Sequence, residues 1–292
     1  MKEIKIGTRN SPLAIWQARE VARFLQNQNR KTEIIPVISD EENSHENYSD
    51  EDKELFTKDL DIALQNKEID IAVHSLKDLP SQLPENIEII AYLKRDFAHD
   101  VLVRNDFSKN KPLHELKIAT NDDRRKVFWK KQFPFSEFVE IPGNANTRLE
   151  KVTKNEADAT IISFARLKRL NLNLNFEELP FMISAPSQGV VAALGRTDNQ
   201  ELNSLLIALN DEETQYVSEN ERGFQKVFSE KKDFQVGAFA EIQDNKIRFK
   251  GIACSQDGKK YFETDNIFPV DFTKNYGEEV GRQILGNLGG EF

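Results

Sequence analysis

The stretch Asp70–Pro80, "DIAVHSLKDLP", decides how this chain is read. Its apolar core, Ile71–Val73, is too short for a helix and flanked by polar residues, the pattern of a strand buried on both faces. The segment then turns polar, with Lys77 and Asp78 just past the strand's carboxyl end. Open α/β sheets bind ligands at that end, where strands give way to loops and helix N-termini. A buried strand that finishes on a cation and a carboxylate therefore predicts a ligand site on a parallel sheet.

Working outward, the same short apolar run recurs in "EIKIG" (Glu3–Gly7), "TEIIPVI" (Thr32–Ile38) and "LKIAT" (Leu116–Thr120). Between such runs lie helical patterns, "SPLAIWQAREVARFLQ" (Ser11–Gln26) and "LFTKDLDIALQN" (Leu55–Asn66). This βαβ rhythm predicts a mostly parallel, doubly wound sheet. "DFAHDVLVR" (Asp96–Arg104) opens a second unit of the same kind, continued by "EFVEI" (Glu137–Ile141) and "DATIISF" (Asp158–Phe164). "ISAPSQGVVAALG" (Ile183–Gly195) reads as the chain crossing back. Beyond it, a charged helix, Asn210–Phe228, leads to strands "FQVGAFAEI" and "KIRFKGIAC" joined at Asp244–Asn245, a two-residue hairpin turn. The expected class is thus α/β with two doubly wound domains and a small α+β third. Domain 1 is 1–94 with 186–205, domain 2 is 95–185 and domain 3 is 206–292.

Bulk properties narrow the function. A net charge of -9 argues against nucleic acid or an anionic membrane as a general partner, while leaving room for a local basic pocket. No apolar run approaches bilayer-spanning length, and the opening "MKEIKIGTRN" lacks the apolar stretch of a secretory signal. The single cysteine, Cys254, cannot form an intrachain disulfide, so the expected compartment is the reducing cytoplasm. His45, His74, His99 and His114 show no metal-ligand spacing, and no phosphate-binding glycine motif is present. The acidic run Ser39–Lys53 reads as a solvated, mobile loop.

Other polar residues follow the predicted strands as Lys77 and Asp78 do. Thr8, Arg9, Asn10 and Ser11 come after the first strand, Arg124 and Arg125 after "LKIAT", and Gly143, Asn144, Thr147 and Arg148 after "EFVEI". Any one of these arginines alone is an ordinary salt-bridge partner. Their shared position makes the set a candidate receptor for a small polyanion, since arginine pairs carboxylates bidentately and helix N-termini add amide donors. Asp78, a carboxylate among cations, is placed to stabilise a developing positive charge or move a proton.

At this point the sequence resembles the hydroxymethylbilane synthase, or porphobilinogen deaminase, family over nearly its whole length. "IGTRNSPLAIWQA", "DIAVHSLKDLP", "GNANTRL", "ARLKRLNL", "SQGVVA" and "LNDEETQYVSENER" occur in the family's order. The resemblance implies a monomer of three domains, the first two similar to type II periplasmic binding proteins, acting in tetrapyrrole biosynthesis. It implies head-to-tail joining of four porphobilinogen units, with loss of ammonia, on a dipyrromethane cofactor attached to a cysteine. Asp78 matches the family's catalytic carboxylate. Arg9, Ser11, Lys53, Lys58, Lys77, Arg124, Arg125, Arg148 and Arg169 match positions that bind cofactor and substrate carboxylates.

The chain also departs from that pattern. Phe234 stands where the family's cysteine is expected, and Pro142 replaces an arginine before "GN". Asn121 and Asp122 replace serines before the double arginine, Asp123 follows them, and Glu54 replaces a glycine. These acids predict partial neutralisation of an inherited anion site. Cys254 is an alternative anchor, because hairpin pairing puts it opposite Gln235, next to Phe234; the same pairing turns it away from Phe234's face, as a core residue would be. Two other readings stand beside the enzyme. One is a non-catalytic paralogue holding a pyrrole or other anion. The other is a solute-binding protein, for which the missing export signal and the third domain speak against.

Overall fold

A computed structural model describes residues 3–37, 50–141, 145–231 and 233–287. The chain begins with β1 (Ile4–Arg9), α1 (Pro12–Asn27), β2 (Thr32–Val37), α2 (Asp50–Gln65), β3 (Ile71–Ser75) and β4 (Ile87–Tyr92). It continues with β5 (Asp100–Arg104), β6 (Lys117–Ala119), α3 (Asp123–Gln132), β7 (Glu137–Val139), α4 (Ala145–Thr153), β8 (Ala159–Ser163), α5 (Phe164–Arg169) and β9 (Glu177–Glu178). It closes with β10 (Val191–Arg196), α6 (Gln200–Ile207), α7 (Glu212–Val227), β11 (Phe234–Gln243), β12 (Lys246–Ser255), β13 (Tyr261–Pro269) and α8 (Tyr276–Asn287).

Two sheets follow one plan, β2-β1-β3-β10-β4 and β7-β6-β8-β5-β9. In each, four strands run in one direction and the fourth position is filled by an antiparallel strand, β10 in the first and β5 in the second. These are the doubly wound sheets expected from the sequence, and "VVAALG" does return to the first one as β10. The third sheet, β11-β12-β13, is antiparallel. The chain divides into two compact units. The first is built from the described residues of Met1–Glu42, Ser49–Asp96 and Gly189–Tyr216, the second from those of Phe97–Gln188 and Val217–Phe292.

Local sequence explains the elements. In α1 the Ser11 hydroxyl accepts from the Ala14 amide at 3.2 Å and Pro12 fills the first helical position, while Ala14, Ala18, Val21, Ala22 and Leu25 form the buried stripe. β3 and β10 are buried almost throughout, as central strands must be. Gly7 lets α2 approach β1 closely, since a Cβ there would lie 2.3 Å from Ile69 Cδ1 and 3.0 Å from Leu60 Cδ2. The β11–β12 hairpin turns on Asp244 (φ 52°) and Asn245 (φ 57°), pairing Gln243 with Lys246; both residues tolerate the left-handed region a two-residue turn requires.

Two features depart from expectation. Asp50–Lys53, read as part of a loop, belongs to α2. The rest of the acidic run lies outside the described residues. β13 and α8, absent from the reading of the sequence, complete the third sheet and its cover. β13 alternates as an edge strand does, a signal weaker than that of β12.

Candidate functional site

In the first unit β1 and β3 are parallel neighbours in the register Ile6↔Ile71, Gly7↔Ala72, so the residues following both emerge at one end. Arg9 ends β1, and Lys77 and Asp78 lie in a single 3₁₀ turn, Leu76–Asp78, directly after β3. Leu76 and Leu79 are fully buried on either side of that turn and pin it, leaving Lys77 and Asp78 half-buried. The Leu76 amide donates to the Val190 carbonyl at 3.0 Å, and Gln17 Nε2 on α1 donates to Ser75 Oγ at 2.7 Å. Thr8 Oγ1 donates toward the Ala14 and Val73 carbonyls, 3.2 Å from each. This end of the sheet is therefore braced from below, with its charges above.

His74 precedes that turn and is buried on β3. Burial first, and the Arg9 charge second, bring its pKa down to about 4, so a neutral imidazole supports the site at neutral pH. On α2, Asp61 is buried and accepts from Thr57 Oγ1 at 2.8 Å; burial raises its pKa to about 6 against that hydrogen bond. Lys58 is exposed on the same helix, and Lys53 and Glu54 lie on it with side chains outside the described residues. Ser11, expected to meet a ligand, spends its oxygen on capping α1.

In the second unit the double arginine lies in the first turn of α3, separated from the Asp122 cap by Asp123. Both guanidiniums turn inward. Arg124 donates to the Ile183 carbonyl at 2.5 Å and to Asp100 Oδ2 at 2.6 Å. Arg125 donates to the Ile161 carbonyl at 3.0 Å and to Asp100 Oδ1 at 2.8 Å. Gln188 Nε2 adds a bond to Asp100 Oδ1 at 3.1 Å and one to the Ala98 carbonyl at 2.6 Å. Burial would push the Asp100 carboxyl up; the two arginines outweigh it and hold the pKa below the usual carboxylate range. Asp122 is likewise lowered: burial and Asp100 oppose ionisation, but the arginine charges and the Arg125 amide prevail. Asp123 instead pairs with Lys126 at 3.2 Å.

Arg148 on α4 and Arg169 at the end of α5 are buried as well. Pro142, Gly143 and Asn144 lie outside the described residues. Phe234 is the first residue of β11, opposite Ser255, with its ring centroid 6.1 Å from that of Phe228. Cys254 lies opposite Gln235, as the hairpin register predicts, fully buried in a cluster with Leu116, Ile118, Trp129 and Ile252. Burial raises its thiol pKa, which makes it a poor nucleophile. Asp100 and Gln188 were not singled out from the sequence. The signal for Asp100 was an acid opening an otherwise apolar run, a position seldom buried without a partner.

Residues 4–204 match the family described as porphobilinogen deaminase, dipyromethane cofactor binding domain. The porphobilinogen deaminase of Syntrophomonas wolfei is 35% identical, covering 99% of this chain and 95% of its own. The chain belongs to the porphobilinogen deaminase family. The probable porphobilinogen deaminase of Methanocaldococcus jannaschii is also 35% identical, with 96% and 99% covered. The family is that of tetrapyrrole biosynthesis with dipyrromethane as its expected cofactor. Among solved structures, similarity extends to an ancestral cationic amino acid solute-binding protein (14% identity, 78% of this chain and 94% of that one, TM-score 0.46). The L-cystine solute receptor of Neisseria gonorrhoeae follows at 16% identity, 76% and 91% coverage and TM-score 0.43. The fold assignment rests on the strand orders given above and not on these superpositions. Among the described residues no helix is long and apolar enough to cross a membrane, and no three acidic, histidine or cysteine side chains gather as a metal site would.

Proposed function

We propose that this chain binds porphobilinogen and condenses it head to tail with release of ammonia, using Asp78 as the carboxylate beside the reacting pyrrole. The observation that carries this is the pinned turn after β3, which presents Asp78 next to Lys77 and on the same sheet end as Arg9. In each condensation the aminomethyl carbon loses its amine and becomes a cationic azafulvene, which the α-carbon of a second pyrrole attacks. One C–N bond breaks and one C–C bond forms, and the proton shed by the attacking α-carbon balances the one that leaves with ammonia. An ionised carboxylate facing the pyrrole N–H stabilises that cation. Lys77 and Arg9 hold the acetate and propionate arms, with Lys53 and Lys58 of the same unit as further cationic contacts.

A thioether to dipyrromethane needs an accessible thiol. Phe234 has none, and the chain's one cysteine, Cys254, is 0% exposed. The residues present do not fit a covalently attached dipyrromethane. The same features favour a second reading, in which the site holds a pyrrole without turning it over. In either case the chain acts as a monomer in the cytoplasm, with no nucleic acid partner.

Intact-mass measurement of the purified chain, with pyrrole and ammonia assays after incubation with porphobilinogen, separates the two. An unmodified mass together with pyrrole product and ammonia, both abolished in Asp78→Asn, is the expected result. Binding without ammonia release would establish the second reading, and a dipyrromethane adduct lost in Cys254→Ser would overturn the non-covalent assignment.

A further inference from the structure

The guanidiniums of Arg124 and Arg125 lie between two carboxylates of different exposure. On the inner side Asp100 is 0% exposed and binds them at 2.6 and 2.8 Å. On the outer side Asp122 is 23% exposed, its Oδ2 lying 3.4 Å from Arg125 Nε and 3.7 Å from Arg124 Nη2. The arginine side chains, 6% and 5% exposed, reach solvent only marginally. Two positive charges therefore meet two negative ones, and the cluster is neutral. The inner contacts are short and dry, so they are not open to exchange. The outer ones are longer and, although Arg125 Nε is itself sealed from solvent, the Asp122 carboxylate reaches water, so Asp122 is the member that a ligand carboxylate can replace.

We propose that Asp122 is a built-in competitor for the Arg124–Arg125 pair: an anionic ligand reaches these guanidiniums only by displacing the Asp122 carboxylate, and Asp122 thereby lowers the affinity of the chain for carboxylate-bearing pyrroles. As applied to porphobilinogen this rests on the function proposed above; as applied to anions in general it does not. Asp123, next in sequence and equally charged, has no such role because its carboxylate is engaged by Lys126 at 3.2 Å.

The test uses the full chain and the variants Asp122→Asn and Asp123→Asn, which change net charge by the same amount. Asparagine caps a helix as well as aspartate does, so the Asp122 Oδ1 contact to the Arg125 amide at 3.1 Å survives the change and α3 stays anchored. Asp122→Ser serves as a second capping variant. Sulfate is titrated while the side-chain Nε–H signals of Arg124 and Arg125 are followed by NMR, and porphobilinogen binding is measured by calorimetry. Removing one charge this close to the seat is expected to tighten both ligands about tenfold in Asp122→Asn, with Asp123→Asn within about twofold of the parent. Equal gains in the two variants would reduce the effect to net charge and overturn the inference, as would an unchanged sulfate titration in Asp122→Asn. A clear sulfate response without porphobilinogen binding in any variant would leave Asp122 in its role and remove the functional reading instead.

Discussion

The two doubly wound units share a strand plan and treat their buried polar groups in opposite ways. In the first, two buried ionisable groups, His74 and Asp61, are driven toward neutrality, while the buried Arg196 is held by the Leu64 and Ile69 carbonyls. His74 is held neutral with its pKa near 4, and Asp61 titrates near 6. Arg9, Lys77 and Asp78 stand at the end of the sheet, at least partly in water. In the second, ionised groups are buried outright and compensate one another, Arg124 and Arg125 around Asp100. A basic residue after a strand can therefore be a receptor or a piece of core, and the difference lies in whether a buried counter-charge is within reach. The first unit spends its fold on presenting charge, the second on neutralising it.

The largest effect should come from breaking the second unit's compensation. Asp100→Ala leaves two buried guanidiniums without their shared carboxylate and is expected to cost about 3–5 kcal/mol, read by chemical denaturation. Replacing Asp100, Arg124 and Arg125 together with apolar residues of similar volume should recover most of that loss, because the penalty belongs to the unpaired charge.

In the first unit the expected effects are smaller and depend on pH. Asp61 has a folded pKa above its unfolded value of 3.8, so the stability linked to it is complete at low pH and is lost as pH rises through about 6. Asp61→Asn should remove that loss and stabilise the chain at pH 8 by on the order of 2 kcal/mol, measured by hydrogen exchange of the α2 and β3 peptides. His74 has the opposite sign. Its folded pKa is below the unfolded 6.5, so stability is present above that value and is lost as pH falls toward 4. The two slopes offset one another between pH 4 and 6 in the natural chain. His74→Gln should leave a stability that falls with rising pH, and Asp61→Asn one that rises. If neither variant changes its slope, the account of the first unit as a site of neutral burial is wrong.

The smallest effect sharpens the assignment of Ser11. As a helix cap its change to alanine should cost about 1 kcal/mol of stability, seen in a denaturation midpoint, with Ser11→Asp close to the parent. A pyrrole-binding role would instead weaken porphobilinogen binding with no change in that midpoint.

What could be read from the chain depended on the range of the interaction. The strand of Ile71–Ser75 and the turn at Asp244–Asn245 are local matters of periodicity and side-chain chemistry, and the sequence carried both; the cap at Ser11 is equally local, yet the sequence reading made that residue a ligand contact. The same local reading placed Lys77 and Asp78 after a strand and found no thiol at position 234. It also flagged the aspartates beside the arginines without separating them; only Asp122, and not Asp123, faces the guanidiniums.

The sequence by itself thus determined the βαβ rhythm of the first two sheets, the β11–β12 hairpin, the family, the carboxylate after β3 and the missing thiol at position 234. Only the tertiary structure decided that Arg124 and Arg125 point inward. Their partner Asp100 sits 24 and 25 residues upstream, on β5, a strand that joins its sheet antiparallel beside β8. It likewise decided that Cys254 is sealed in a core formed by β12 and α3. The physical reason is common to both: desolvation and charge pairing act through space over a few ångströms, and which residues come that close is set by strand neighbours that no local pattern encodes.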